Sequence, residues 1–470
     1  MENTGIVKRD QWGSKLGFIM AAAGSAVGLG NLWKFPFLAG QNGGGAFVLV
    51  YFIILFLVGF TLMMAEITVG RYAQLNAIGA YRKIKAGWGW VGSLGVLAGF
   101  LILSFYSVIG GWIVCYIWKA LTGAFNTADV KVLGDMFSDF TSSAGGPIFY
   151  HAVFMLMTMG IVIGGIKDGI EKYSKIMMPA LFVMMILIML RSITLDGAMA
   201  GIKFFLTPDF SKITGGVVLS ALGQVFFSLS LGMGCMITYG SYLDKDADIP
   251  QCSMIIPLID TGVALLAGLA TLPAVFAFGF SPSAGPGMLF ITLPAVFSKM
   301  PMGSVVGVAF FLLALFAAVT SSISLLEVCV SYVVDEWKWT RKRATVTISS
   351  LIFALGVPCS LSFGPWSHII LLKGKNIFDT VDFIATNVLL PLGGILLCVF
   401  VAWIWGLKGK EVVTRSEDGS TSTSWEIPEA LKEITNNGKI SFPLASVWVF
   451  LMKWLAPVAI TVVFLQGILG

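Results

Sequence analysis

Eleven apolar runs, each long enough to cross a bilayer, dominate this 470-residue chain and decide its class. A helix needs about 20 apolar residues to span the hydrocarbon core. Runs of that kind lie near 15–39, 46–73, 92–120, 148–166, 170–192, 214–241, 253–280, 303–335, 343–361, 377–406 and 443–468. Within lipid every backbone polar group must be satisfied internally, which only helices and closed barrels achieve. Runs of this length therefore predict an all-α integral membrane fold of eleven transmembrane helices, with the lipid bilayer as its surroundings. Composition agrees, with 57% of residues hydrophobic and 12% charged. That is about half the charged fraction of a soluble globular chain.

Lys and Arg set the orientation. With the amino terminus in the cytoplasm, 20 of them fall on the inner side, eight on the outer side, and Lys34 and Lys453 within spans. The positive-inside rule then places the amino terminus inside, and eleven spans leave the carboxyl terminus outside, in a multi-pass protein of the inner (plasma) membrane. Lys8, Arg9 and Lys15 precede Ala21-Ala22-Ala23 in the manner of a signal peptide. The apolar run continues well past those alanines, too long for a signal h-region, and no cleavage is expected.

The chemistry excluded is broad. The cysteines Cys115, Cys235, Cys252, Cys329, Cys359 and Cys398 form no CxxC pair and sit in or beside apolar runs, so they read as small buried hydrophobes. His151 and His368 are far apart, and neither HExxH nor GxxxxGK[ST] occurs. An ATP-driven pump or a metalloenzyme has no machinery here. No paired catalytic constellation appears, so the chain is not expected to be an enzyme. No nucleic-acid partner is expected, and the oligomeric state is left open.

Two outer loops are substantial, 121–147 and 281–302. The second contains the apolar stretch Phe290–Phe297, too short to span and expected to fold back over the outer mouth. Residues 407–442 read as a polar cytoplasmic loop, flexible from Ser416 to Ser424, with a surface helix from Pro428 to Ile434. A membrane core then covers 1–406, and 443–470 is an accessory helix.

Spans 1 and 6 share an anomaly. Gly24-Ser25-Ala26-Val27-Gly28-Leu29-Gly30-Asn31 and Ser228-Leu229-Ser230-Leu231-Gly232-Met233-Gly234 crowd glycines and polar residues at bilayer depth. Close helix packing is one reading, since Gly24 and Gly28 form a GxxxG motif. The second is that both helices are broken. Each run opens a five-helix set (about 12–192 and 214–406), and matched interruptions in two halves point to inverted repeats with a ligand site at the breaks. An unwound stretch frees N–H groups suited to a carboxylate and carbonyls suited to a small cation.

The residues at these breaks, with several other segments, resemble a known family. The sequence is similar to the neurotransmitter:sodium symporters, and within them to the bacterial amino-acid transporters, from Trp12 to about Ile468. The resemblance is carried by Gly28-Leu29-Gly30-Asn31-Leu32-Trp33-Lys34-Phe35-Pro36, Asn42-Gly43-Gly44-Gly45-Ala46-Phe47, Glu66 with Gly70-Arg71-Tyr72, Gly223-Gln224-Val225-Phe226-Phe227-Ser228-Leu229-Ser230, Thr320-Ser321-Ser322 and Asp335-Glu336. The general account of broken-helix transporters is itself built on a member of this family.

The resemblance implies a sodium-coupled symporter that imports L-amino acids by alternating access. The substrate's carboxylate would meet the Leu29 and Gly30 amides and the Tyr106 hydroxyl, and its ammonium would face carbonyls around Ala26, Phe227 and Ser230. Its side chain would lie among Ile102, Tyr106, Phe227, Met233, Ser324 and Leu325. Two sodium sites are implied. One takes the Ala26 carbonyl, Asn31, Ser228, Asp260 and the substrate carboxylate. The other takes the carbonyls of Gly24, Val27 and Ala317 with the hydroxyls of Thr320 and Ser321.

Charged residues inside spans call for a partner or a function. Lys34 with Asp382 is expected to form the outer gate, where the family usually has arginine. Arg9 with Asp335 resembles the inner gate, latched over Trp12 with Tyr242 nearby. Glu66 is expected to brace the broken helices through backbone N–H groups, and Glu327 has no assigned partner. The spacing of Gly169 and Pro179 matches a family pattern that marks unwinding of the inner half of span 5, although a static kink has the same signature. Gly28 stands where monoamine-carrying relatives have an aspartate, so the substrate should bring its own carboxylate. Met233 suits a pocket for hydrophobic or aromatic side chains. Animal relatives hold chloride with residues matching Tyr51, Gln224 and Ser228 plus a serine where this chain has Ala264, whereas Asp260 supplies a fixed charge here. No chloride requirement is expected. The rival readings are a proton-coupled amino-acid transporter and, further off, an ion channel.

Overall fold

The computed structural model describes residues 9–280, 287–407, 410–415 and 421–469. Lys8, Lys408 and Ser416–Ser420, which entered the charge count and the loop expectation, lie outside them. Among the described residues nine helices are long and apolar enough to cross a membrane, and a tenth span results if the bent pair Lys15–Ala26 and Gly30–Gln41 is counted as one. The helices Gly45–Ala73 and Gly89–Leu121 are mostly buried inside the protein, while Ala445–Leu469 is mostly turned outward. The first two therefore build the core, and the last lines its periphery.

The first run is broken as the glycines suggested. Ser14 caps the helix Lys15–Ala26, and Val27 leaves it in an extended conformation. Chain direction then changes by 53° before the helix resumes at Gly30, first as a π turn to Lys34 and then as Phe35–Gln41.

The run at 214–241 is interrupted too. Gly215–Ser228 is helical, and the helix restarts only at Cys235. Between them Ser230, Gly232 and Gly234 all have positive φ, which an L-residue rarely adopts. At Gly232 a Cβ would come within 2.4 Å of the Leu390 carbonyl oxygen, so the close approach of two backbones requires glycine.

Several connections differ from expectation. The 121–147 segment carries a helix, Val130–Ser142, and another, Ala198–Leu206, fills part of the connection before residue 215. Both are too short to span, and Val130–Ser142 is amphipathic besides, so they escape a search for spanning runs. Met288–Thr292 and Leu293–Ser298 fold back into the protein. Phe290 meets Tyr116 at 5.0 Å, Phe137 at 5.1 Å and Trp112 at 5.8 Å between ring centroids.

The 407–442 loop is more ordered than its composition suggested. Lys410–Arg415 and Thr421–Glu426 pair as an antiparallel hairpin, which replaces the flexible stretch expected at 421–424 and is the one departure from an all-helical backbone among the described residues. The helix Glu429–Ile434 is present but is docked rather than lying free. Ala430 and Ile434 are buried, and Glu433 pairs with Arg71 at 2.8 Å. All six cysteines are free and buried.

Candidate functional site

The Gly303–Trp337 helix passes the first break, presents the Ser321 hydroxyl to it and sets the Thr320 side chain beside Gly24. Ser321 Oγ lies 3.4 Å from the Gly24 carbonyl, 3.4 Å from that of Val27, 3.1 Å from that of Ser25 and 3.2 Å from that of Ala317. Thr320 Oγ1 is 3.1 Å from the Ala317 carbonyl. The break is what makes the carbonyls available, because Gly24 and Val27 no longer have regular helical acceptor duties. All five residues expected at the second sodium site thus converge, and every donor atom is a hard oxygen, as a small hard cation needs.

A second oxygen cluster forms around Asp260, which is fully buried. Asn31 Nδ2 donates to Asp260 Oδ1 at 2.7 Å and to its carbonyl at 3.1 Å. Ser228 Oγ donates to the same carboxylate at 3.0 Å, and Tyr51 adds a longer contact at 3.4 Å. The Gly28 amide donates to Asn31 Oδ1 at 3.0 Å, which ties this cluster to the first break. Gln224 Nε2 donates to the Gly30 carbonyl at 3.0 Å. A buried carboxylate surrounded by oxygen atoms and neutral donors suits a monovalent cation, which would supply the opposite charge that the low-dielectric setting demands.

Between the two clusters lies a pocket bounded by both breaks. Ala26, Leu29, Gly30, Ile102, Tyr106, Phe227, Ser230, Met233 and Leu325 all line it. The Leu29 amide reaches the Tyr106 hydroxyl at 3.4 Å. Ser324 is not on the wall. Its Oγ instead donates to the Ser321 carbonyl at 2.8 Å and accepts from Ser25 Oγ at 2.7 Å. Gly28 lines the pocket as well, and so does Ser25, which was not singled out as a pocket residue. Ser25 sits on the last turn of the Lys15–Ala26 helix, and which neighbour that turn faces is not readable from spacing alone.

Above the pocket is a vestibule of about 690 Å³ bordered by Lys34, Phe227 and Asp382. Phe227 borders both spaces and so is the partition between them. Lys34 and Asp382 share the vestibule without an ion pair. The Lys34 ammonium instead stands 4.2 Å over the Phe227 ring, a cation–π contact. A lysine presents a point charge rather than a planar fork, so the ring competes with the carboxylate for it.

Below the pocket the chain is shut. Arg9 Nη1 contacts Asp335 at 2.6 Å, and Arg9 Nη2 donates to Ser241 Oγ at 2.7 Å. Trp12 is buried beneath, its amide donating to the Tyr242 carbonyl at 3.2 Å and its indole N–H to the Tyr239 carbonyl at 3.0 Å. Glu66 accepts from the Gly232 amide at 2.7 Å and so braces the second break. Glu327 does have partners. Tyr242 donates to it at 2.7 Å, and Arg341 forms a buried ion pair with it while also reaching Asp10 at 3.5 Å. The Gly169 region is wound: Ile166–Glu171 is a π turn that runs into the helix Lys172–Ile193, with Pro179 inside it.

A helical membrane protein with a pocket between two interrupted helical runs, shut on one side and opening to a vestibule on the other, is a secondary transporter rather than an enzyme. The chain belongs to the sodium:neurotransmitter symporter family, whose profile matches residues 9–132 and 131–414. It is 43% identical to "Uncharacterized sodium-dependent transporter YhdH" of Bacillus subtilis, with 98% of each chain covered. It is 35% identical to an "Uncharacterized sodium-dependent transporter" of Haemophilus influenzae, again over 98% of each. Its fold matches the crystal structure of MhsT in complex with L-phenylalanine at a TM-score of 0.86 and 43% identity, over 98% of this chain and all of that one. The fold is therefore the multi-span, inverted-repeat architecture of that transporter.

Proposed function

We propose that the chain is an eleven-span symporter that imports a hydrophobic or aromatic L-amino acid by coupling it to two sodium ions through alternating access. The observation that carries the reading is the placement of the pocket, enclosed by both breaks and flanked by two all-oxygen clusters. MhsT, similar over its whole length, was crystallised with L-phenylalanine. The apolar wall of Ile102, Phe227, Met233 and Leu325 suits a side chain of that kind.

In this reading the substrate's carboxylate meets Leu29, Gly30 and Tyr106, and its ammonium meets the carbonyls near Ala26, Phe227 and Ser230. One sodium ion sits with Ala26, Asn31, Ser228 and Asp260 against the substrate carboxylate. The other sits with Gly24, Val27, Ala317, Thr320 and Ser321. Span 6 is the broken partner of span 1, so that repeats 12–192 and 214–406 each contribute one break. The amino terminus is cytoplasmic and the carboxyl terminus outside. Lys34 and Asp382 draw together over a bound substrate, Arg9 and Asp335 part beneath it, and the turn around Gly169 unwinds to wet the inner sodium site.

Asp260 supplies the fixed negative charge beside two cations, so no chloride is needed. The test is binding of each of the twenty amino acids to the purified chain, with sodium or with potassium. Saturable binding of apolar L-amino acids in sodium alone is the expected result. Binding that ignores sodium but follows pH would favour proton coupling and overturn the reading.

A further inference from the structure

Arg9 is not the only tie between the amino-terminal segment and the rest of the inner face. Glu171, at the end of the π turn Ile166–Glu171, is buried and reaches into the same segment from the opposite side. Its Oε2 accepts from the Gly13 amide at 2.6 Å, and its Oε1 accepts from Ser14 Oγ at 2.9 Å and from Lys175 at 2.5 Å. Ser14 Oγ in turn accepts from the Gly17 amide at 3.0 Å as the cap of the Lys15–Ala26 helix. One carboxylate thus holds the hydroxyl that starts the first helix, and that helix ends in the Gly24 and Val27 carbonyls of the inner oxygen cluster.

Two glycines make room for it. A Cβ on Gly17 would lie 2.1 Å from Glu171 Oε1, and one on Gly13 would lie 3.2 Å from Oε2. The turn itself is packed backbone to backbone against the helix before it, since a Cβ on Gly169 would meet the Ile161 carbonyl oxygen at 2.2 Å. The turn therefore cannot rearrange without carrying Glu171 off its cap, and the first helix cannot swing away without leaving Glu171 behind.

We propose that Glu171 is a positioning residue that joins the 166–171 turn to the start of the first helix, so that the two release together and sodium at the inner cluster stabilises both. The proposal rests on the sodium-coupled reading above. It differs from the Arg9–Asp335 contact in linking the amino-terminal segment to span 5 rather than to the Gly303–Trp337 helix.

The test is hydrogen–deuterium exchange of the full chain in lipid nanodiscs, following peptides over 10–20 and 164–173 across a sodium titration. In the parent both segments should become protected at the same sodium concentration. In Glu171→Gln the two midpoints should separate by about tenfold or more. Gly17→Ala, which displaces the carboxylate without altering its charge, should give the same separation, and the double variant should add nothing further. A purely structural role would lower the melting temperature in sodium and potassium alike and leave the midpoints together. Coincident midpoints in whichever of the two single variants folds overturn the proposal. A parent in which sodium protects neither segment, and in which it does not promote amino-acid binding, overturns the transport reading instead.

Discussion

Asn31 and Asp260, 229 positions apart, face each other at 2.7 Å and tie the first backbone break to the Ile249–Ala277 helix. The amide donates to the carboxylate, so a cation entering here exchanges a charge-assisted hydrogen bond for a direct ion contact, and the site keeps a fixed negative charge. Uptake by the parent should proceed equally in chloride and gluconate. Asp260→Asn removes that charge and should confer a chloride requirement, through the anion position bounded by Tyr51, Gln224 and Ser228. Sodium-driven uptake with each salt as sole anion checks this. Parent uptake that stops in gluconate contradicts the first half, and a variant indifferent to the anion contradicts the second.

Gly28 has little spare room. A Cβ there would lie 2.7 Å from Ser321 Oγ and 3.2 Å from the Tyr106 hydroxyl. Gly28→Ala should weaken amino-acid binding by about tenfold, roughly 1.4 kcal/mol. Gly28→Asp should abolish it, because a second carboxylate is then placed where the substrate's own must approach. Equilibrium binding of radiolabelled phenylalanine distinguishes the two. Equal affinities in parent and both variants would misplace the site.

Two sodium ions carried with a zwitterion move two charges inward. Each charge gains about 2.3 kcal/mol per 100 mV, so the voltage term supports on the order of a thousandfold accumulation at that potential. Proteoliposomes clamped inside-negative should therefore fill faster and higher than those held at zero, at fixed sodium. Identical time courses would rule out net charge movement.

Lys34 rests on the Phe227 ring rather than on Asp382, and in the proposed cycle the carboxylate acts only when the vestibule closes. Asp382→Asn should leave amino-acid affinity within about threefold while lowering uptake by about tenfold, a difference of roughly 1.4 kcal/mol in the closing step. Parallel binding and transport assays on one preparation measure both. An equal loss in each would place Asp382 in binding itself.

The Glu327–Arg341 pair is buried on the Glu327 side. Arg341→Leu leaves an uncompensated buried carboxylate and should cost about 3–5 kcal/mol of stability. Replacing both residues with leucine should restore most of that loss. Thermal unfolding in detergent of the two single variants and the double variant tests the pairing.

Much of this was legible because the bilayer leaves little freedom. Glycines and serines at hydrocarbon depth, as in 24–31 and 228–234, are costly without a ligand or a close neighbour, so both breaks announced themselves. Glu327 did not reveal Arg341, because the two lie on successive helices whose reversal, through Lys338 at positive φ, has no periodic signature. Val130–Ser142 and Ala198–Leu206 were missed for different reasons: the first is about half polar, and the second, apolar apart from Lys203, is only nine residues long, far short of a span. Ser25 lines the pocket where Ser324 was expected, because how the last turn of the Lys15–Ala26 helix faces the Gly303–Trp337 helix is a tertiary outcome. Register on that stretch is set by Ser230, whose Oγ donates to the Ser25 carbonyl at 2.9 Å.

The docked helix Glu429–Ile434 has a consequence for how the chain is assembled. Glu433 joins Arg71 and Lys245, which belong to different hairpins of the bundle, and Lys245 also donates to the Arg71 carbonyl at 2.8 Å. Further along, the indole N–H of buried Trp448 donates to the Thr61 carbonyl at 3.1 Å. A segment 362 positions further along the chain thus fastens the Arg71 end of the Gly45–Ala73 helix. A chain halted after Gly406 would hold the buried Arg71 guanidinium without its carboxylate, so this seam of the bundle is sewn only once Glu433 has been made.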